Sequence, residues 1–88
     1  MKSRTTRKFW KHFEELPQTI QEHARRAYRQ WRTEPSYPSL QFKKVDPVEP
    51  VYSIRIGIEY RAVGLFKADT VTWFWIGHHD EYERLLRG

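Results

Sequence analysis

From Phe9 to Trp31 the apolar residues Phe9, Phe13, Leu16, Ile20, Ala24, Ala27 and Trp31 recur at gaps of three or four, the spacing of one helical face. Pro17 interrupts that run by removing a donor and clashing with the preceding turn, so the pattern predicts a short helix up to Leu16 and a longer one from Pro17 to about Glu34. Four of the five prolines follow, at Pro35, Pro38, Pro47 and Pro50, and mark a change to extended chain, with room for a short strand from Leu40 to Val45. Val51 to Ile58 then alternates, Tyr52, Ile54 and Ile56 on one face and Ser53 and Arg55 on the other. Gly57-Ile58-Glu59 reads as a turn, Tyr60 to Phe66 as a strand, and Lys67-Ala68-Asp69-Thr70 as a second turn. Val71 to Ile76 is apolar on both faces, Trp73 and Trp75 against Phe74 and Ile76, which predicts a strand covered on both sides. Asp80 fits the N-cap of a final short helix from Glu81 to Leu86. The expected fold class is α+β, an N-terminal helical pair packed on a small antiparallel β-sheet with a short C-terminal helix. Residues 1–7 read either as a flexible basic tail or as a short first strand.

Length and composition narrow the picture. With 88 residues there is room for one domain, 1–88, and a chain this short buries only roughly 60 to 65% of its unfolded surface. It has no cysteine, which excludes disulfide staples, thiolate nucleophiles and sulfur-based zinc sites, while aromatics at 16% compensate for a small core. The net charge is +5 and points to an anionic partner. It is unevenly spread: Met1 to Lys44 holds 11 basic and 4 acidic residues, and Val45 to Gly88 holds 5 and 7, so the halves carry +7 and −2. No apolar run approaches the roughly 20 residues of a membrane span, and the chain starts without the apolar stretch of a signal peptide; the expected location is the cytoplasm.

Two groups of residues can carry chemistry. Arg25, Arg29 and Arg32 fall at i, i+4 and i+7 beside Arg26, a spacing whose like-charge repulsion suits an anionic partner; Lys8, Lys11, Lys43 and Lys44 extend the basic set, whose alternative reading is a solvated face with Glu22 near Arg26. Arg55, Arg61, His78, His79 and Tyr82 converge if the three strands pair as a meander and the C-terminal turn folds over the sheet. Arginines can grip a phosphate bidentately and an imidazole can pass a proton near neutrality, the equipment of a metal-free ribonuclease in which the ribose 2′-hydroxyl attacks the adjacent phosphorus. The same residues can equally be ordinary strand and turn positions. No cofactor is implied. A metal at His78, His79, Asp80 and Glu81 is disfavoured because adjacent residues rarely point at one ion, and His12 and His23 lack paired ligand spacing. Trp73 and Trp75 read as core before they read as base-stacking platforms.

The runs Phe42-Lys43-Lys44, Tyr52-Ser53-Ile54-Arg55-Ile56-Gly57, Tyr60-Arg61-Ala62-Val63-Gly64 and Trp73 through Tyr82, together with Phe9-Trp10 through Leu16-Pro17 and Ala24 to Trp31, resemble the RelE/ParE superfamily of bacterial type II toxins, in its RelE-like or HigB-like branch. The resemblance implies a RelE-like, microbial-ribonuclease-like fold, a cognate antitoxin, and ribosome-dependent cleavage of mRNA without a metal, with rRNA contacts on the ribosome. It implies that Arg61 stabilises the phosphoryl transition state, that Arg55 holds the scissile phosphate, that His79 serves as general acid or polar contact where relatives have arginine, and that Tyr82 orients the base or assists proton transfer. Ser53 stands where some relatives place lysine. Two other readings stay open: a ParE-type toxin that blocks DNA gyrase without nuclease chemistry, and a non-toxic basic module that binds an acidic peptide.

Overall fold

The computed structural model describes residues 1–87, without the Arg87 side chain. Helices α1 (Arg7–Glu14) and α2 (Gln18–Thr33) precede a single 3₁₀ turn at Pro38–Leu40, and strands β1 (Lys2–Thr5), β2 (Lys43–Lys44), β3 (Val51–Ile56), β4 (Tyr60–Lys67) and β5 (Thr70–His78) are followed by α3 (His79–Arg87). The strands form one sheet in the order β1-β5-β4-β3-β2. Pro17 divides the helical pair as its chemistry requires. Thr6 caps α1 by accepting from the Phe9 N–H, and Gln21 Nε2 donates to the carbonyls of Phe13 and Leu16 at the end of α1, so α2 satisfies the groups that α1 leaves open. Phe9, Phe13, Ala24 and Trp31 are buried against Ile54, Ile56, Ala62, Trp73 and Ile76, and this layer is the core.

The sheet is mixed rather than wholly antiparallel, because β1 pairs in parallel with β5 while β2 to β5 pair antiparallel. Hydrogen bonds from the Lys2 N–H to the Asp69 carbonyl and from the Thr6 N–H to the Trp73 carbonyl hold the ends of β1. Its residues are polar and mostly exposed, as suits an edge strand, and therefore carry no apolar alternation. In β5 the register shifts between Val63 and Gly64, with Val63 opposite Trp75 and Gly64 opposite Trp73. This bulge adds one residue, so Trp73 and Ile76, three apart, both face the core, and Trp75 faces away from it. The strict alternation that groups Trp73 with Trp75 is corrected accordingly. Helix α3 starts at His79, two residues before the expected start, with the otherwise unpaired His79 N–H donating to the Glu59 carbonyl at 2.7 Å; Asp80 lies in the first turn instead of capping it. Among the described residues no helix is long and apolar enough to cross a membrane.

The β4–β5 hairpin turns through Ala68 (φ 50°) and Asp69 (φ 62°), both left-handed, the conformation of a two-residue primed turn. An alanine there carries a Cβ penalty of roughly 1–2 kcal/mol that glycine escapes. Ala68→Gly is expected to raise stability by about 1 kcal/mol, less the extra entropy of the unfolded glycine, as read from the urea midpoint.

Candidate functional site

The register places Lys43, Ser53, Val63 and Trp75 in one row across β2 to β5, and Arg55, Arg61 and Gly77 in the next. Directly opposite residues share a face. Their alternates Ile54, Ile56, Ala62 and Ile76 belong to the core beneath α1 and α2, so these rows line the other side of the sheet. Helix α3 returns over that side: the Tyr82 hydroxyl lies 3.3 Å from Ser53 Oγ and its ring centroid 6.5 Å from that of Trp75. Gly77 lets the Trp75 indole lie across the strand beside it, because a Cβ there would meet that ring at 2.7 Å.

Arg55 and Arg61 face each other across β3 and β4. Arg55 Nε donates to the Gly57 carbonyl at 2.9 Å, and an Arg61 guanidinium nitrogen donates to the carbonyls of Tyr60 at 2.8 Å and Ile58 at 3.3 Å, so the β3–β4 turn holds both side chains. Neither forms an ion pair with a carboxylate among the described residues. Burial lowers the pKa of the Arg61 guanidinium below its ordinary value, the Arg55 charge lowers it further, and Tyr82 acts in the opposite sense. Two opposed cations with no acid between them cost stability, and an anion seated on them would relieve that cost. Chemically, paired guanidiniums are donors suited to an anion such as a phosphate.

Of the five residues expected to converge, Arg55, Arg61 and Tyr82 share this side of the sheet. His78 and His79 gather elsewhere. His78 falls in the row of Tyr60 and Ile56, on the helix-covered side, with its ring 5.4 Å from Tyr60 and its Nε2 3.3 Å from Glu59 Oε2. His79 stacks on His78 with centroids 4.5 Å apart, and its Nδ1 lies 3.3 Å from Asp80 Oδ1. Among the described residues no hydrogen bond or ring contact joins either histidine to Arg55, Arg61 or Tyr82. The cause is local: alternation sends residue 78 to the face opposite residue 77, and the helix begins one residue later.

The basic set also divides. Arg25 sits over the Phe13 ring at 5.0 Å, and Arg32 donates to the Tyr28 hydroxyl at 3.1 Å. Arg25 and Arg29 border a groove of about 360 Å³ with an apolar floor that includes Phe9, Trp10 and Phe13. Arg26 lies on the other side of α2, in a cleft with His23, Gln30 and Arg55. Lys8 and Lys11 are exposed on α1, and Lys43 and Lys44 point to opposite faces of β2. Sequence reasoning weighed Trp75 as a base-stacking platform but placed it in the core, and read Ser53 as a replaced lysine without a nucleophile's context. The signal that could have found them is the Ser53 to Arg55 alternation combined with the strand register, which requires knowing the bulge.

The family model of the ParE-like toxin domain matches residues 18–84 of the chain. The chain belongs to this family. No curated protein matches the sequence. The fold of this ParE-like toxin domain recurs in solved structures. A chain of the RelB–RelE antitoxin–toxin complex of Methanococcus jannaschii is 19% identical, with a TM-score of 0.74 over 93% of this chain and 96% of that one. The YoeB/ParE toxin of Agrobacterium tumefaciens is 18% identical, with a TM-score of 0.68 over 90% and 99%. The isolated RelE toxin of E. coli is 16% identical, with a TM-score of 0.66 over 97% and 98%. The architecture of this ParE-like toxin domain is therefore RelE-like: three helices on a five-stranded mixed sheet.

Proposed function

We propose that the chain is the toxin of a toxin–antitoxin pair and cleaves mRNA on the ribosome. The observation that supports this reading is the pair Arg55 and Arg61, opposed on neighbouring strands without a carboxylate partner among the described residues, with the Tyr82 hydroxyl on Ser53 in the adjoining row. In the reaction the ribose 2′-oxygen forms a bond to the adjacent phosphorus while the bond from phosphorus to the 5′-oxygen breaks, leaving a 2′,3′-cyclic phosphate and a 5′-hydroxyl. Arg55 would hold the scissile phosphate, and Arg61 would neutralise the charge that grows on its non-bridging oxygens. The 2′-hydroxyl proton leaves to water, and the Tyr82 hydroxyl supplies a proton to the departing 5′-oxygen. His79, held against His78 and Asp80, is assigned a contact to the RNA rather than the proton. Tyr82→Phe keeps the ring on Trp75 and removes the hydroxyl; a fall of about 10² in the single-turnover cleavage rate with an unchanged melting temperature is expected.

The antitoxin would dock from the helical side. The groove beside Arg25 and Arg29 offers an apolar floor with a cationic rim, and the edges β1 and β2 can accept an added strand. Both features suit an acidic amphipathic segment, and relatives from Methanococcus jannaschii and E. coli are solved as antitoxin–toxin complexes.

The match to the ParE-like family favours a second reading, in which the protein blocks DNA gyrase and performs no RNA chemistry. Purified protein assayed in parallel on translating ribosomes and in gyrase supercoiling separates the two. The nuclease reading expects new mRNA 3′ ends on ribosomes and unimpeded supercoiling. Blocked supercoiling with intact mRNA would establish the gyrase reading instead.

A further inference from the structure

The end of β5 and the first turn of α3 bring together a triplet, His78, His79 and Asp80, that neither the arginine pair nor Tyr82 uses. On a continuous strand adjacent side chains point to opposite faces and cannot share an ion. Here strand gives way to helix between His78 and His79, and the second ring folds back onto the first, with centroids 4.5 Å apart and 28° between their planes. Both rings then meet one carboxylate. His79 Nδ1 lies 3.3 Å from Asp80 Oδ1, His78 Nδ1 lies 3.6 Å from Asp80 Oδ2, and one ligand atom from each of the three residues lies within 4.8 Å of the others. Four ligands at about 2.0–2.1 Å from a tetrahedral ion stand about 3.3 Å from one another, the spacing of His79 Nδ1 from Asp80 Oδ1, and a shell closes here once the two rings turn out of their stack and His78 Nδ1 releases the Asp80 N–H.

A further group fixes the orientation. Glu59 Oε2 lies 3.3 Å from His78 Nε2, and accepting its N–H leaves the Nδ1 lone pair of His78 directed at Asp80, where it now takes the Asp80 backbone N–H at 3.2 Å. A carboxylate behind an imidazole is the arrangement that sets the tautomer of a metal-bound histidine.

We propose that His78 Nδ1, His79 Nδ1 and one Asp80 oxygen form a binding site for a divalent transition-metal ion of the zinc class, with Glu59 orienting His78 and the fourth position open to water. Imidazole nitrogens favour zinc, nickel and copper over magnesium and calcium. The three side chains are 34%, 38% and 64% exposed, so the ion exchanges with solvent. Bound there, it fastens α3 to the end of β5 and, through Glu59, to the β3–β4 turn, and it stabilises the folded chain by mass action. The site shares His79 with the RNA contact proposed above, and its test is read on the free chain without RNA.

Titration of the intact chain with zinc chloride, followed by calorimetry and by NMR of the histidine rings, tests it. One equivalent should bind, the ring signals of His78 and His79 should shift while those of His12 and His23 stay in place, and the melting temperature should rise. His78→Ala and Asp80→Asn should each weaken binding at least about 10-fold, and Glu59→Gln about 10-fold, with circular dichroism confirming that each variant is folded. Magnesium chloride should leave the spectrum unchanged. Zinc that fails to bind, that binds the His78→Ala and Asp80→Asn variants as tightly as the parent, or that shifts His12 or His23 instead would overturn the proposal.

Discussion

Arg61→Ala is expected to abolish growth arrest on induced expression and to lower RNA cleavage about 10²- to 10³-fold, the loss that follows removal of one preorganised transition-state donor. Arg61 has no competing internal anion among the described residues, and the carbonyls of Tyr60 and Ile58 fix its guanidinium before substrate arrives. The same substitution should not destabilise the fold. It removes a partly desolvated cation and its repulsion with Arg55, so the thermal midpoint should hold or rise. Arg61→Lys keeps the charge but loses the planar fork, and its cleavage rate should fall between those of the parent and the alanine variant. Growth curves, single-turnover cleavage and thermal melting of the same three proteins check these outcomes together.

Trp31→Ala should cost about 3–5 kcal/mol, a large part of the stability of a domain this small, and should move the urea midpoint accordingly. Trp31 is fully buried and carries the contact between the helical layer and the sheet: its ring lies 6.0 Å from Tyr28, 5.8 Å from Phe42 and 5.3 Å from Trp73. Its Nε1, like that of Trp73, is buried without a hydrogen-bond partner among the described residues. Trp31→Phe removes that unsatisfied donor while leaving a smaller cavity, so it should cost less than half as much as alanine. A phenylalanine variant as damaged as the alanine variant would show that indole packing alone decides the position.

The helical pair was legible in the sequence because gaps of three and four survive any tertiary context, and Pro17 punctuates them unambiguously. Strands β3 and β4 were legible through the alternation of Tyr52, Ile54 and Ile56 and through the turn at Gly57. Strand β1 was not, since an edge strand of polar residues has no apolar period, and its parallel pairing with β5 depends on chain reversal through both helices. The bulge opposite Val63 and Gly64 has no signature in composition, yet it decides that Trp75 joins Ser53 and Tyr82 and not the core. In the candidate site, the opposition of Arg55 and Arg61 followed from alternation about one short turn. The place of His78 did not follow from that turn, because alternation past Gly77 puts it on the helix-covered side, where His79 stacks on it at the start of α3. The charge split has only a partial structural counterpart: Arg25 and Arg29 border the groove over the helical layer, but Arg26 of α2 shares its cleft with Arg55 of the acidic half.

Cleavage of an mRNA carrying a single 2′-deoxynucleotide at the mapped cut position, presented on programmed ribosomes beside its all-ribose counterpart, tests the account most directly. If the side of the sheet bearing Arg55, Arg61 and Tyr82 catalyses 2′-hydroxyl attack, the all-ribose mRNA is cut to a 2′,3′-cyclic phosphate and the deoxy-substituted mRNA stays intact at that position. Equal cleavage of both, or cleavage of neither, would contradict it.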